Sequence, residues 1–382
     1  MITGLGLSTR SEPIRAAIEA ARAAAATVPA ADRTLAIVVA SGAPARGGAE
    51  LAAAVAEVTG APHIIGASAP GLGIGAQEVE GDAVAVVLIG GTPAKVSLAG
   101  GLQHDSGAAI SAVLGDLRPG EQGTALLWFD AMTVGPAPMV DAMRQQASET
   151  LAIIGLGAVD RGGAPWVLAG EQPARDAVVG LWLPEVSARW VQAPVGRPLS
   201  KPMTITRGMG GVIGELDGRR AYEVLVETIK APMASDLDRL GRTVFIGLPG
   251  PGGAELVRPL LGVDPYSGAL AIGGSTVQEG QAVRFILRSP DQARENLQAA
   301  IAELAEGLDQ PPDLLLAVRA AGRGAELYGP DLGGIEAALV ASAFPGVPTL
   351  NVMSACELTP TGDGHALHLY TTLLVALNTT RH

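Results

Sequence analysis

Leu35-Ala-Ile-Val-Val-Ala40, Thr124-Ala-Leu-Leu-Trp-Phe-Asp130 and Asp313-Leu-Leu-Leu-Ala-Val-Arg319 are three short, almost continuously apolar runs, and each opens a stretch of similar organisation. A run of this length without polar alternation reads as a strand buried on both faces. Behind the first run come a Gly/Pro loop, an Ala-rich helix near 48–58 and a strand over 62–68. A glycine-rich turn (Gly71, Gly73, Gly75) then leads to Glu78 and to a strand over 83–89. The second run is followed by a helix near 137–149, a strand over 151–156 and paired strands near 165–170 and 176–183. The third is followed by a helix near 332–343, a strand over 349–353 and one last strand through His365 to Leu377. Repeated strand–helix–strand–strand units build mixed sheets with helices on their faces, so the fold class is α/β.

The flanking segments complete the division. Residues 11–28 read as a surface helix, with Ser11 as N-cap, Pro13 in the first turn and Ile14, Ile18, Ala21 and Ala25 as its stripe. Between the second and third units, 196–308 differs in character. It holds an Asp217-Gly218 turn, an amphipathic helix carrying Tyr222, Leu225 and Ile229, and a hairpin expected from 268–273 and 281–287. A helix then starts at Ser289, with Pro290 at N1 and Gln292 at N3 of a capping box, and ends at Gly307. Two tandem domains are expected, 1–215 and 216–382.

Composition narrows the function. The chain has 382 residues, a net charge of −12 and only three lysines, at 95, 201 and 230. That balance argues against a non-specific grip on nucleic acid or an anionic membrane, since both require basic side chains to neutralise phosphate. Cys356 is the single cysteine, which excludes an internal disulfide, multi-thiolate metal sites and iron–sulfur clusters. No leader pattern opens the chain and no apolar run reaches membrane-spanning length, so a cytoplasmic, soluble protein is expected. High apolar content (48%) with few aromatics (3%) suggests surface buried between subunits, hence a homo-oligomer.

Most motif-level chemistry fails on spacing. No phosphate loop of the G-x-x-x-x-G-K-[ST] type occurs, and the glycines at 71–75 and 208–214 miss the dinucleotide register. Gly66-Ala-Ser68-Ala-Pro70 resembles an esterase elbow but ends in proline, which lacks the amide and the free φ the elbow uses. Cys356 beside Glu357 could act as a thiolate nucleophile if His365 or His368 reached it, against the plainer reading of a small buried apolar residue. His365-x-x-His368 sits in a strand pattern, where side chains three apart point to opposite faces, so a two-histidine metal clamp is not expected. Either histidine alone could hold a haem iron or a ligand, or be structural.

One convergence remains. If the opening strands run parallel, Ser41, Ser68, Asp130, Arg319 and the Cys356–Glu357 pair fall at or just beyond strand carboxyl ends, where α/β sheets place ligand crevices. Arg319 and Arg323 bracket Gly322, a plausible seat for carboxylate or phosphate. The competing reading is that Arg323 and Glu357 pair with each other or with Glu78 and merely close loops.

The chain resembles the FIST family, a tandem of FIST N and FIST C domains, over nearly its whole length. The similarity lies in Pro62-His-Ile-Ile-Gly-Ala-Ser-Ala-Pro-Gly-Leu-Gly-Ile-Gly-Ala-Gln-Glu78, Gly214-Glu-Leu-Asp-Gly-Arg-Arg-Ala-Tyr-Glu-Val-Leu225, Leu261-Gly-Val-Asp-Pro-Tyr-Ser-Gly-Ala-Leu-Ala-Ile272, Gly280-Gln-Ala-Val-Arg-Phe285, Gly322-Arg-Gly324, Phe344-Pro-Gly-Val-Pro348, Cys356-Glu-Leu-Thr-Pro360 and Leu367-His-Leu-Tyr-Thr371. The resemblance implies a non-catalytic, bacterial signal-transduction input module that binds a small molecule, an amino acid or similar metabolite, and passes its state to a separate signalling protein. Some relatives look like haem proteins responding to nitric oxide, which would involve His368 or His63 here. Family members often carry Cys where Ala67 and Ala320 stand and Gly where Cys356 stands. The expected ligand-binding residues are Ser68, Glu78, Arg319, Arg323, Glu357 and His368. No metal and no resident cofactor are expected apart from the haem alternative, and a small enzyme using Cys356 and Glu357 is the other one.

Overall fold

A computed structural model describes residues 1–118, 123–146, 151–229, 237–362 and 364–380. The chain packs as two compact units that interleave in sequence. The first comprises Met1–Ala193, Leu297–Pro360 and Tyr370–His382, and the second Pro194–Asn296 and Thr361–Leu369. The expected division at 215 is one of sequence, whereas these units are a division of space.

In chain order the first copy of the repeat follows a strand Ile2–Ser8 (β1) and a helix Pro13–Ala25 (α1). It consists of Arg33–Ser41 (β2), Gly48–Thr59 (α2), His63–Ser68 (β3), a small hairpin Leu72–Ile74 and Gln77–Val79 (β4, β5), and Ala83–Gly90 (β6). Lys95–Gly100 (β7) and Leu102–Leu117 (α3) lead to the second copy. This has Thr124–Asp130 (β8), Pro136–Gln146 (α4), Ala152–Ala158 (β9), a hairpin Val167–Ala169 and Gln172–Ala174 (β10, β11), Ala177–Leu183 (β12) and then Val186–Pro194 (β13). The expected helix residues 147–149 lie outside the described residues.

Between copies run Gly196–Pro198 (β14), Met203–Met209 (β15), Val212–Leu216 (β16), Arg219–Arg220 (β17), Ala221–Ile229 (α5), Leu237–Thr243 (α6), Val244–Pro249 (β18), Glu255–Asp264 (β19), Ala269–Ile272 (β20), Ala282–Arg288 (β21) and Pro290–Glu306 (α7). The third copy is Leu314–Ala320 (β22), the single turn Ala325–Tyr328 (α8), Ile335–Ala343 (α9), Thr349–Ser354 (β23), Glu357–Thr361 (β24), Gly364–His368 (β25) and Thr371–Thr379 (β26). The single last strand expected through His365 is two strands, because Tyr370 adopts a left-handed φ of 59° that breaks the extended run.

The pairing in the first unit repeats three times. In each copy the opening strand lies parallel to the next strand (β2 on β3, β8 on β9, β22 on β23) and antiparallel to the last. Each copy also lends its hairpin to the preceding copy's sheet in cyclic order: β10 joins β3, β24 joins β9, and β4 joins β23. The same backbone bond marks the junction each time. Ser68 N–H donates to Trp166 O (3.0 Å), Gly157 N–H to Cys356 O (2.9 Å) and Met353 N–H to Gly71 O (2.9 Å). The outermost strands follow the same rule, β7 pairing with β12 and β1 with β6.

One face of each sheet feeds a common core that includes Leu35, Ile37, Val39, Leu126, Trp128, Leu314, Leu316 and Val318. Burying both faces of such strands explains why their sequences show no alternation. The other faces take helices. On α1 the buried stripe is all alanine (Ala16, Ala17, Ala20, Ala21, Ala24), while Ile14 is 51% exposed, so the apolar face is rotated from the expected one. Its N-cap residue is Glu12, without a side-chain cap, rather than Ser11.

In the second unit, strands β15, β16, β20, β19, β18 and β21 pair antiparallel in that order, and β21 pairs back to β15. The result is a closed ring, filled by Ile205, Ile213, Val244, Ile246, Leu270 and Phe285 among others. Strands β20 and β21 are therefore not the two arms of one hairpin; each pairs with other strands of the ring. The Asp217-Gly218 turn forms between β16 and β17, with both residues at positive φ. At the start of α7, Ser289 Oγ accepts the Gln292 N–H (3.3 Å), which supplies one half of the expected capping box.

Candidate functional site

Parallel pairing fixes which residues of the three copies are equivalent. Opposite Ser68, Gly157 and Met353 stand Ala40, Phe129 and Arg319, respectively. Copies one and two are thus apolar where copy three carries a guanidinium. In the hairpins, Glu78 occupies the place that Pro173 holds in the second copy. The first two strand ends are closed by ordinary polar contacts. Ser41 Oγ donates to Gly81 O (2.5 Å), and Asp130 accepts the N–H groups of Met132 (2.9 Å) and Asp176 (3.0 Å). Architecture needs no buried ions at this position, so the charges of copy three require another explanation.

Those charges form one buried cluster. Arg319 makes an ion pair with Glu78, and both side chains are 2% exposed. Arg323 donates through Nε (3.1 Å) and Nη2 (2.8 Å) to Glu336 Oε1, and through Nη1 to the Ala193 (3.1 Å) and Tyr370 (3.4 Å) carbonyls. Tyr328 Oη donates to the same Glu336 oxygen (2.6 Å), and Thr372 Oγ1 donates to the other (2.6 Å). Glu357 accepts from Ser354 Oγ (2.7 Å) and Thr371 Oγ1 (2.5 Å). At the rim, Glu80 accepts the Ala325 N–H (2.7 Å) and pairs with Arg161.

Burial dominates the protonation behaviour. It lowers Arg319 to about 10, with Glu336 opposing and Arg323 adding to the fall. It pushes Glu357 up to about 7, the Ser354 and Thr371 hydroxyls and the Arg323 charge opposing. Burial also works to raise Glu336, but Arg323 and Arg319 outweigh it, and the carboxyl is held below its ordinary range. Tyr328 is raised by burial and by the Glu336 charge. Arg319 and Glu336 therefore carry charge at neutral pH, and Glu357 is divided between its two forms.

The network is incomplete at one point. Among the described residues, Arg319 Nε and Nη1 and Glu78 Oε1 are buried with no hydrogen-bond partner. Buried donors left open in this way are rare, because each costs a large fraction of its desolvation energy.

Of the residues singled out from sequence, Glu78, Arg319, Arg323 and Glu357 meet in this cluster. Arg323 forms its ion pair with Glu336. Ser68 is engaged elsewhere, its Oγ accepting the Trp166 N–H at 3.0 Å. His368 lies in the second unit, where burial and then the Arg258 charge lower it to about 4, which makes it a neutral imidazole. His63 opens β3 in the first unit, at the opposite end of that strand from Ser68. Cys356 is 4% exposed. Among the described residues, no group of three or more His, Cys, Asp or Glu could hold a metal ion. Glu336, Tyr328, Ser354, Thr371 and Thr372 were not singled out. For Glu336 a signal existed: a glutamate as the one charged residue of the largely apolar Ile335–Ala343 helix, where it is 1% exposed.

The fold and the cluster define a class, a repeated α/β protein whose distinguishing chemistry is a buried, partly unsatisfied ion network at strand ends. A FIST N domain profile matches residues 34–219 and a FIST C domain profile residues 221–360. The chain belongs to the FIST family, whose domains are sensory domains. Similar proteins include the uncharacterized protein Rv0628c of Mycobacterium tuberculosis, 28% identical over 381 residues, covering 97% of this chain and 98% of the relative. The uncharacterized protein Mb0898c of Mycobacterium bovis is 26% identical over 382 residues, covering 97% of each. Among the described residues no helix is long and apolar enough to cross a membrane.

Proposed function

We propose that this protein is a non-catalytic sensor that binds a small carboxylate-bearing metabolite, such as an amino acid, at the Arg319–Glu78 pair, and reports occupancy to a separate signalling protein. One observation carries the reading: the open Nε and Nη1 donors of Arg319 beside the open oxygen of Glu78, at a strand position that is apolar (Ala40, Phe129) in the other two copies. Open donors suit a carboxylate and an open carboxylate oxygen suits an ammonium or hydroxyl. Arg323 and Glu336 hold the surrounding charge in balance, so ligand binding need not bury a net charge.

A thermal-shift screen of amino acids, organic acids and nucleotides tests the reading. A true ligand at about a hundred times its dissociation constant stabilises by about 2.7 kcal/mol. The same compound should fail with Arg319→Lys, which keeps the charge but loses the planar fork. A screen in which nothing raises the wild-type melting temperature rejects the proposal.

A further inference from the structure

The strand-end crevice of the first copy is the counterpart of the third copy's ion network, and it holds a cavity instead. Cyclic pairing makes Pro173 equivalent to Glu78, and so Arg175 equivalent to Glu80, each the first residue beyond its hairpin. In the third copy's crevice Glu80 supplies a carboxylate from within, accepting the Ala325 N–H (2.7 Å) and pairing with Arg161. In the first copy's crevice the corresponding side chain is a cation. A second cation, Arg46, comes from the loop after β2, as Arg323 comes from the loop after β22. The two arginines line a cavity of about 490 Å³, within the size range of small-metabolite sites. Among the described residues, no hydrogen bond or ion pair engages either guanidinium. Glu50 and Asp160 also line the cavity, and neither is paired with Arg46 or Arg175. Pro173 and Trp166 form an apolar wall, and the indole is fixed in place because its Nε1 donates to Ala45 O (2.7 Å).

We propose that this cavity is a second ligand site, independent of the Arg319–Glu78 pair, and that it takes a phosphate monoester bearing free hydroxyl groups. Two unpaired guanidiniums match the charge of a phosphate monoester, about −1.5 to −2 near neutral pH, whereas a monocarboxylate is matched by one. The planar fork of arginine also meets phosphate oxygens in pairs. Ionised Glu50 and Asp160 can only accept hydrogen bonds, so they favour a ligand that presents O–H donors and disfavour bare phosphate. The ligand thereby brings from outside the anion that Glu80 provides in the third copy. Sugar phosphates and nucleoside monophosphates share this chemistry.

Isothermal titration calorimetry on the full chain tests the site, with glucose 6-phosphate, AMP, inorganic phosphate and adenosine as probes. Glucose 6-phosphate or AMP should bind about tenfold or more tightly than inorganic phosphate, and adenosine should not bind; the tighter ester tells a sugar phosphate from a nucleotide. Arg46→Ala and Arg175→Ala should each weaken the ester about tenfold, and Arg175→Glu, which restores the charge found in the third copy, should abolish its binding. Both arginines are exposed, so these variants should keep the wild-type melting temperature. Asp160→Asn should weaken the ester and tighten inorganic phosphate. Arg319→Lys should leave ester binding unchanged, which separates this site from the carboxylate site. Absence of ester binding, or ester binding that survives Arg46→Ala combined with Arg175→Glu, overturns the proposal. Inorganic phosphate binding as tightly as either ester overturns the role given to the hydroxyl groups.

Discussion

Glu357 gives the residue scale a pH signature. Its carboxyl titrates at about 7 in the folded protein against 4.5 for an unperturbed group. A carboxyl raised in this way contributes stability that is fully present below the unfolded value and is lost as pH rises through the folded one. The difference of two to three pH units corresponds to about 3 kcal/mol. Glu357→Gln should therefore match the wild type near pH 4.5 and become the more stable protein above pH 7, which melting curves across that range will read. A constant offset between the two proteins at every pH would contradict the assignment. The neighbouring carboxylate behaves oppositely. Glu336→Gln leaves Arg323 and Arg319 buried with too little counter-charge and should cost about 3–5 kcal/mol by denaturant titration. Tyr328→Phe removes a single hydrogen bond to a charged acceptor and should cost about 1.5–3 kcal/mol. The sequence marked Arg319, Arg323, Glu78 and Glu357 because each stands at a strand end or in a glycine-rich turn. It did not mark Tyr328 or the three hydroxyl residues, whose roles depend on elements that meet only after folding.

At the scale of elements, the hairpin bearing Glu78 is defined by its close backbone spacing. A Cβ added at Gly73 would lie 2.0 Å from the Gln77 carbonyl, so Gly73→Ala must distort β4 and β5. Exchange protection should fall across 72–79, and carboxylate binding should weaken with it, while β6 and β8 keep their protection. A variant that retains full protection at 77–79 would show that the hairpin tolerates the methyl group. The element boundaries were largely legible: opening strands, Ala-rich helices and the capped helix at Pro290 follow from local chemistry. Strand partners were not. The glycine-rich turn at 71–75 reads locally as a loop, yet Leu72–Ile74 is a strand because β23 offers it a sheet edge. Likewise β20 and β21 resemble a hairpin in sequence and are separated in the ring, since antiparallel partners are chosen by closure of the whole sheet.

For the whole molecule, the cyclic exchange suggests that the order of copies along the chain is arbitrary. The strand that follows the last strand of copy one joins copy two, and the one following copy two pairs in the sheet of copy three. The strand that would follow copy three is β1, at the other end of the sequence, and the Met1 ammonium donates to Thr379 Oγ1 at 2.7 Å. A circular permutant joining these ends through a short linker and opened at residues 91–94, between β6 and β7, keeps every pairing. It should fold to the wild-type circular dichroism spectrum with a cooperative melt; loss of cooperativity would show that the order of copies matters. The sequence alone determined the α/β class, the threefold recurrence and the family resemblance, because continuous apolar runs, turn glycines and caps act over a few residues. Only the tertiary structure decided that hairpins are exchanged between copies, that 194–296 closes its own ring, and that Arg323 pairs with Glu336. Those outcomes are set by which distant edges and charges meet when the core is buried, and local residue pattern carries no record of the partner.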